Sequence, residues 1–225
     1  MDFIKHISYT LCVKTSVCIS RHLRKRVKVN VNGQALPSEP RQPPRHLLDL
    51  FGRRWAVPIL AELARNKGCK FVTLHNRLEA NPTAVRQSLE HLMELGWAMR
   101  NPGYGHPLRP EYVLTEQGER LAPACLTLDD AIARLQLQEV AFRRWALPAL
   151  HVISWQEAPA RFSGVAAGLG RVTDRALAMT LKDMQAHAII DRRVRDTYPP
   201  TPDYLVGPRG EPLIPVLTEL AEANL

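Results

Sequence analysis

From residue 45 onward, apolar side chains fall into short runs at helical spacing, broken by brief stretches of strand character. Leu47-Leu48-Asp49-Leu50-Phe51 predicts a short helix, which Gly52 is expected to end in the left-handed cap conformation. A second helix is predicted from Arg54 to Ala64, with Pro58 near its first turn and Leu60 and Leu63 buried in front of Trp55. Phe71–Leu78 predicts a brief strand entering a short helix. Asn81-Pro82 then marks a strong helix start, an N-cap followed by proline at the first helical position. Val85, Leu89, Leu92 and Gly96 recur at i, i+4, i+7 and i+11 and define one buried face. Thr83, Arg86, Gln87, Glu90 and Glu94 lie opposite it. The spacing then changes to that of a hairpin: Trp97–Arg100, a Pro- and Gly-rich turn over Asn101–Pro110, and Glu111–Leu114.

The whole series occurs twice. Arg53-Arg54-Trp55-Ala56-Val57-Pro58-Ile59-Leu60 returns ninety residues later as Arg143-Arg144-Trp145-Ala146-Leu147-Pro148-Ala149-Leu150, with six of eight positions identical. At an offset of 92, Pro110-Glu111-Tyr112-Val113 is matched by Pro202-Asp203-Tyr204-Leu205, and Gly118, Leu121 and Pro123 by Gly210, Leu213 and Pro215. Landmarks in the same order at nearly constant offset indicate a duplication. In the second copy Phe162–Leu169 stands for Phe71–Leu78, with Ser163 expected as an N-cap. Thr173-Asp174 opens the later helix, and Leu177, Leu181, Met184 and Ala188 repeat its buried face.

Three helices followed by a two-stranded wing form a winged helix-turn-helix. The expected fold is mainly α with small β wings (α+β), as two tandem winged helix-turn-helix domains. Residues 45–123 form the first domain, 124–140 a helical connector (apolar at Leu128, Ile132, Leu135 and Val140) and 141–225 the second domain. Residues 1–44 read as a basic, disordered tail ending in a Pro-rich linker, Leu36–Pro44. With the connector packed between them, the copies are expected to form an intramolecular pseudo-dimer.

The net charge of +8 is less informative than its distribution, because residues 1–44 hold eight Lys/Arg against two Asp/Glu and the rest is nearly balanced. A case for nucleic acid rests instead on where charges fall in the fold. No apolar run reaches the roughly 18 residues that cross a bilayer. Lys14 interrupts the apolar N-terminal stretch and the basic Arg21–Lys28 follows it, the reverse of a secretory signal, so a cytoplasmic protein is expected. Cys12, Cys18, Cys69 and Cys125 form no Cys-x-x-Cys pair and are expected to be reduced thiols. The eight histidines do not cluster, and no Ser/His/Asp or Cys/His grouping stands out, so no enzyme, metal or cofactor is expected. Gly168-Leu169-Gly170 lacks a third glycine and a preceding strand of adequate length, and is read as a turn.

The second helix of such a motif enters the major groove, so its exposed face carries the chemistry. Arg pairs bidentately with guanine and Gln with adenine, which makes Arg86 and Gln87 the candidate base readers, flanked by Thr83 and Glu90. On the first wing, Arg100, Tyr104, His106 and Arg109 are candidates for phosphate or minor-groove contact. The second copy replaces Thr83, Arg86, Gln87 and Glu90 by Arg175, Ala178, Met179 and Lys182, which removes both bidentate partners. Its wing adds Arg192, Arg193 and Arg195, suited to gripping the backbone. Trp55 and Trp145 are expected as core anchors. Double-stranded DNA is the expected partner and transcriptional regulation the expected function. The alternative is a degenerate winged-helix module that holds a protein.

These residues resemble the HxlR-type winged-helix regulators. The resemblance rests on Leu48-Asp49-Leu50-Phe51-Gly52-Arg53-Arg54-Trp55, on Phe71, Leu74 and Leu78, and on Leu89, Leu92 and Gly96-Trp97. It also includes Glu111-Tyr112-x-Leu114-Thr115-x-x-Gly118 with Leu121. It covers residues 45–123 closely and 142–220 more loosely. It implies a DNA-binding regulator, although such proteins typically carry one domain and form homodimers. Some members sense oxidants or electrophiles with a cysteine just before the first helix, where this chain has Arg41-Gln42-Pro43-Pro44-Arg45-His46.

Overall fold

The computed structural model describes residues 42–101, 111–156, 159–196, 198 and 200–223. In the first copy α1 (Arg45–Leu50), α2 (Ala56–Asn66), β1 (Cys69–Lys70), α3 (Phe71–Arg77) and α4 (Pro82–Glu94) precede the strands β2 (Ala98–Asn101) and β3 (Glu111–Leu114). The long helix α5 (Glu116–Arg134) leads into α6 (Gln138–Ala141), and the series repeats as α7 (Ala146–Trp155), β4 (Ala160–Arg161), α8 (Phe162–Leu169) and α9 (Asp174–Ala186). It closes with β5 (Ile190–Arg195), β6 (Thr201–Val206), a 3-10 turn at Glu211–Leu213 and α10 (Ile214–Glu222). The fold is the expected tandem pair of winged helix-turn-helix domains.

Each wing is a three-stranded antiparallel sheet rather than a bare hairpin, in the orders β1-β3-β2 and β4-β6-β5. The third strand comes from the two residues before α3 or α8, and Lys70 pairs with Glu111 as Arg161 pairs with Asp203. This corrects the expectation of a strand within Phe71–Leu78: the strand ends at Lys70 and the helix starts at Phe71. For the same reason Ser163 lies inside α8, and the N-cap position falls on Arg161, which is still in the extended strand conformation.

Asn81 caps α4, its side chain accepting from the Thr83 N–H at 2.8 Å with Pro82 next in line. Thr173 does the same for α9, accepting from the Ala176 N–H at 3.3 Å. Val85, Ser88, Leu89 and Leu92 form the buried stripe of α4. Gly96 lies beyond the helix at φ +72°, where it turns the chain into β2. Its counterpart Ala188 adopts φ +54° with a Cβ to accommodate. Ala188→Gly is therefore expected to raise stability by up to about 1 kcal/mol. An unchanged or lower thermal midpoint would count against this.

Gly52 does not end α1 in a left-handed cap: Phe51 is the C-cap, with φ −86°, and Gly52 is absent from the positive-φ residues. A Cβ at Gly52 would instead lie 2.9 Å from the Asp49 carbonyl and 3.2 Å from His91 Nε2. His91 Nε2 bonds to that same carbonyl at 2.8 Å, so glycine leaves room for a tie between α4 and α1. The expected helical connector over residues 124–140 falls within α5 and α6. α5 begins at Glu116, runs through Pro123, and ends at Arg134, with Leu135 as its C-cap and Gln136 at φ +51°.

One core runs through both copies, from Leu47, Leu60, Leu89 and Leu128 to Leu150, Leu181 and Leu217. α5 packs along α2, and α10 of the second copy packs against α5, α7 and α1. His46 Nε2 on α1 bonds to the Leu220 carbonyl on α10 at 2.8 Å, and Arg54 pairs with Glu139 on α6 at 3.1 Å. Arg209 donates to the carbonyls of Leu135 and His187, tying the exit of the second wing to the end of α5. Trp55 and Trp145, expected as core anchors, pack against this core from its edge. Each is half-buried, with the neighbouring guanidinium lying 5.5 Å (Arg54) or 4.9 Å (Arg144) from its ring centroid.

The copies differ where α2, and its counterpart α7, meets the short helix that follows it. Glu62 on α2 receives Arg77 of α3 at 3.1 Å, and Arg65 next to it reaches Asp129 and Asp130 of α5 at 2.9 and 2.6 Å. In the second copy the equivalents of Glu62, Arg65 and Arg77 are Val152, Trp155 and Gly168. A Cβ on Gly168 would come within 2.7 Å of Val152 Cγ1, so a close apolar contact replaces the ion pair.

Candidate nucleic-acid interface

Capping and the buried stripe fix the rotation of α4 about its axis, which leaves Thr83, Arg86, Gln87 and Glu90 all exposed on the opposite face. Arg86 is not a free chain on that face. Its guanidinium carbon lies 5.3 Å from the centroid of the Phe71 ring, on the first residue of α3. Gln87 is also held, because Arg53 Nη1 donates to its Oε1 at 3.5 Å. From sequence Phe71 reads as an apolar position of the motif and Arg53 as a phosphate-holding or solvated residue at a helix start, and neither reading pairs it with α4.

On the first wing Arg100 is exposed in β2, in register with Tyr112 of β3. Tyr104, His106 and Arg109 lie outside the described residues. In the second copy Arg192 occupies the equivalent place, in register with Tyr204, and Arg193 faces Asp203. Arg175 and Lys182 are exposed on α9, with Met179 between them at 58 % exposure. Arg195 differs from its neighbours: its Nε donates to Oδ2 of Asp203, whose side chain is buried. Arg143, the counterpart of Arg53, is ion-paired to Asp183 on α9. The structure thus brings Arg86, Gln87, Arg53 and Phe71 together in the first copy, while in the second the equivalent arginine is neutralised.

The two described cysteines are buried free thiols. Cys125 is fully buried and burial pushes its thiol far up, while Cys69 is raised chiefly by the same cause. Among the described residues no group of His, Cys, Asp and Glu is placed to hold a metal ion. None of the described helices is long and apolar enough to cross a membrane.

The family model for HxlR-like helix-turn-helix proteins matches the chain twice, over residues 50–139 and 141–224. An uncharacterized HTH-type transcriptional regulator of Methanothermobacter thermautotrophicus is 32 % identical over 62 residues, 28 % of this chain and 47 % of that protein. Another, from Halalkalibacterium halodurans, is 25 % identical over 79 residues, 35 % of this chain and 69 % of that protein. The chain thus spans about half the length of the first of these relatives. No solved structure matches it significantly. With both copies matched, the chain belongs to the HxlR-like helix-turn-helix family and carries the family's domain twice.

Proposed function

We propose that this protein binds duplex DNA sequence-specifically to regulate transcription, the first copy reading bases and the second gripping the backbone. The observation that carries this is the exposed face of α4, where Arg86 and Gln87 stand side by side opposite a fully buried stripe. The match of both copies to a helix-turn-helix family and the names of the two relatives support it. The division of labour follows from chemistry: Ala178 and Met179 cannot make bidentate bonds to a base, whereas Arg175, Lys182, Arg192 and Arg193 remain exposed to meet phosphates. We place the division between the copies at the break over residues 135–137, and read their association through α1, α5 and α10 as a pseudo-dimer.

Arg86→Ala is expected to weaken binding to the preferred sequence by about 1–3 kcal/mol and to leave nonspecific binding nearly intact. Equal losses on both would make Arg86 a phosphate contact. Replacing Arg192 and Arg193 together by Ala is expected to weaken binding to every sequence alike. The slope of log affinity against log salt should fall by about two. An unchanged slope removes the second wing from the interface. Arg195 is left out of that pair because its removal would strand buried Asp203. A monomer is expected to cover one asymmetric site, with strict base preference in only one half; footprinting and mass measurement of the complex check this.

The second reading, a winged-helix module that holds a protein, draws on Met179 and Val194 of the second copy, which are 58 % and 55 % exposed. A wild-type chain that binds no duplex, specific or nonspecific, would favour it.

A further inference from the structure

We infer that Phe71 and Arg53 are positioning residues, holding Arg86 and Gln87 ready for base reading, and that loss of their targets silences the second copy. The inference rests on the base-reading function proposed above and adds residues that lie outside the exposed face of α4. An exposed arginine loses much rotamer freedom when it docks on a base, and that cost lowers both affinity and discrimination. Phe71 reduces the cost by giving the guanidinium a ring face to rest on, 5.3 Å from the centroid, before any DNA arrives. Half-buried at the first position of α3, the ring belongs to the helix-turn-helix itself and packs against the core. It thereby ties Arg86 to the body of the motif.

Arg53 acts on the second reader. Its Nη1 donates to Gln87 Oε1 at 3.5 Å, which favours the amide orientation with its oxygen toward the start of α2. A carbonyl oxygen has two lone pairs, so Oε1 can still accept from an adenine amino group while the amide nitrogen donates to the ring. A freely rotating amide would present both orientations.

The duplication supplies an internal comparison. Phe162 keeps the place of Phe71, but Arg86 has become Ala178, so that ring has no guanidinium to hold. Arg143 keeps the place of Arg53, but Gln87 has become Met179, and Arg143 is ion-paired to Asp183 instead. The holding residues persist while both held residues are gone.

The test uses the full chain and a panel of duplexes selected from random sequence. Phe71→Leu keeps apolar volume without a ring face, and Phe71→Tyr keeps the face. Phe71→Leu is expected to lower affinity for the preferred duplex about two- to fivefold, with nonspecific binding unchanged and Phe71→Tyr at the wild-type level. On an Arg86→Ala background Phe71→Leu should have no further effect, because nothing remains to be held. Without DNA, the Arg86 side-chain protons should show an upfield ring-current shift that Phe71→Leu abolishes and Phe71→Tyr retains. Arg53→Met should relax discrimination at a single base position. Equal loss on all duplexes would make Arg53 a plain phosphate contact. A selective wild type whose Phe71→Leu variant keeps full selectivity, or a wild type without the ring-current shift, overturns the positioning role alone. A wild type that selects no sequence overturns base reading itself.

Discussion

Gly118→Ala is expected to destabilise the protein by about 3 kcal/mol or more, and Gly210→Ala by a similar amount. The two glycines are repeat equivalents at the exit of each wing, and both sit against a backbone carbonyl. A Cβ at Gly118 would lie 1.9 Å from the oxygen of Trp97, and one at Gly210 would lie 2.2 Å from that of Ile189. Trp97 and Ile189 are themselves equivalents, each at the entry of a wing. The obstacle is main chain and cannot move aside as a flexible side chain would. In the first copy the same junction is bonded twice more, by the Thr115 N–H to the Trp97 carbonyl at 3.2 Å and by its hydroxyl to the Gly96 carbonyl at 2.5 Å. Gly96→Ala is the useful comparison. There the nearest obstacle is 3.6 Å away, so only the left-handed backbone penalty, about 1 kcal/mol, applies. Urea unfolding of the single variants measures the difference. Midpoints for Gly118→Ala and Gly210→Ala no lower than that for Gly96→Ala would refute the close approach.

The second large effect is one of pH. His151, in the middle of α7, is fully buried, and neither ring nitrogen has a hydrogen-bond partner among the described residues. Its ring lies against Trp155, with centroids 3.9 Å apart. Burial lowers its pKa from the ordinary 6.5 to about 4. Between those values the unfolded chain binds a proton that the folded chain refuses, so stability falls as pH drops through that window. Above it His151 is neutral in both states and has no effect on the pH dependence. The full difference amounts to about 3 kcal/mol, lost from about pH 6.5 down to about pH 4. Carboxylates titrate in the same range, and burial raises Asp129 in particular, a contribution of the opposite sign. The measurement is therefore a comparison with His151→Leu, which fills the site without a titrating group. The variant is expected to be the more acid-stable protein, with a curve that runs flatter by that amount. Parallel curves for the two proteins would show that His151 already finds a proton acceptor in the fold. The first copy has Ala61 at this position, so the acid-labile half is expected to be the second.

Much of this protein was legible in its sequence because duplication prints every landmark twice. The Arg-Arg-Trp-Ala-x-Pro repeat, the capped starts at Asn81 and Thr173 and the two i, i+4, i+7 stripes depend on local rules that need no partner elsewhere in the chain. With rotation fixed by cap and stripe, the exposure of Thr83, Arg86, Gln87 and Glu90 followed directly. What only the tertiary structure decided is whom each exposed residue meets, because an arginine reads the same whether solvated, stacked or paired. Arg86 rests on Phe71, Arg53 reaches Gln87 and Arg143 turns to Asp183, contacts spanning 15 to 40 positions of chain. The third strand of each wing was missed for a related reason. Two residues carry no period, and Cys69-Lys70 becomes a strand only because β3 lies alongside to supply the hydrogen bonds. The glycines divide in the same way. Gly96 was placed by its distance from a helix start, a local matter, whereas Gly118 and Gly210 are required by a carbonyl that folding brings within 2.2 Å or less of where a Cβ would stand.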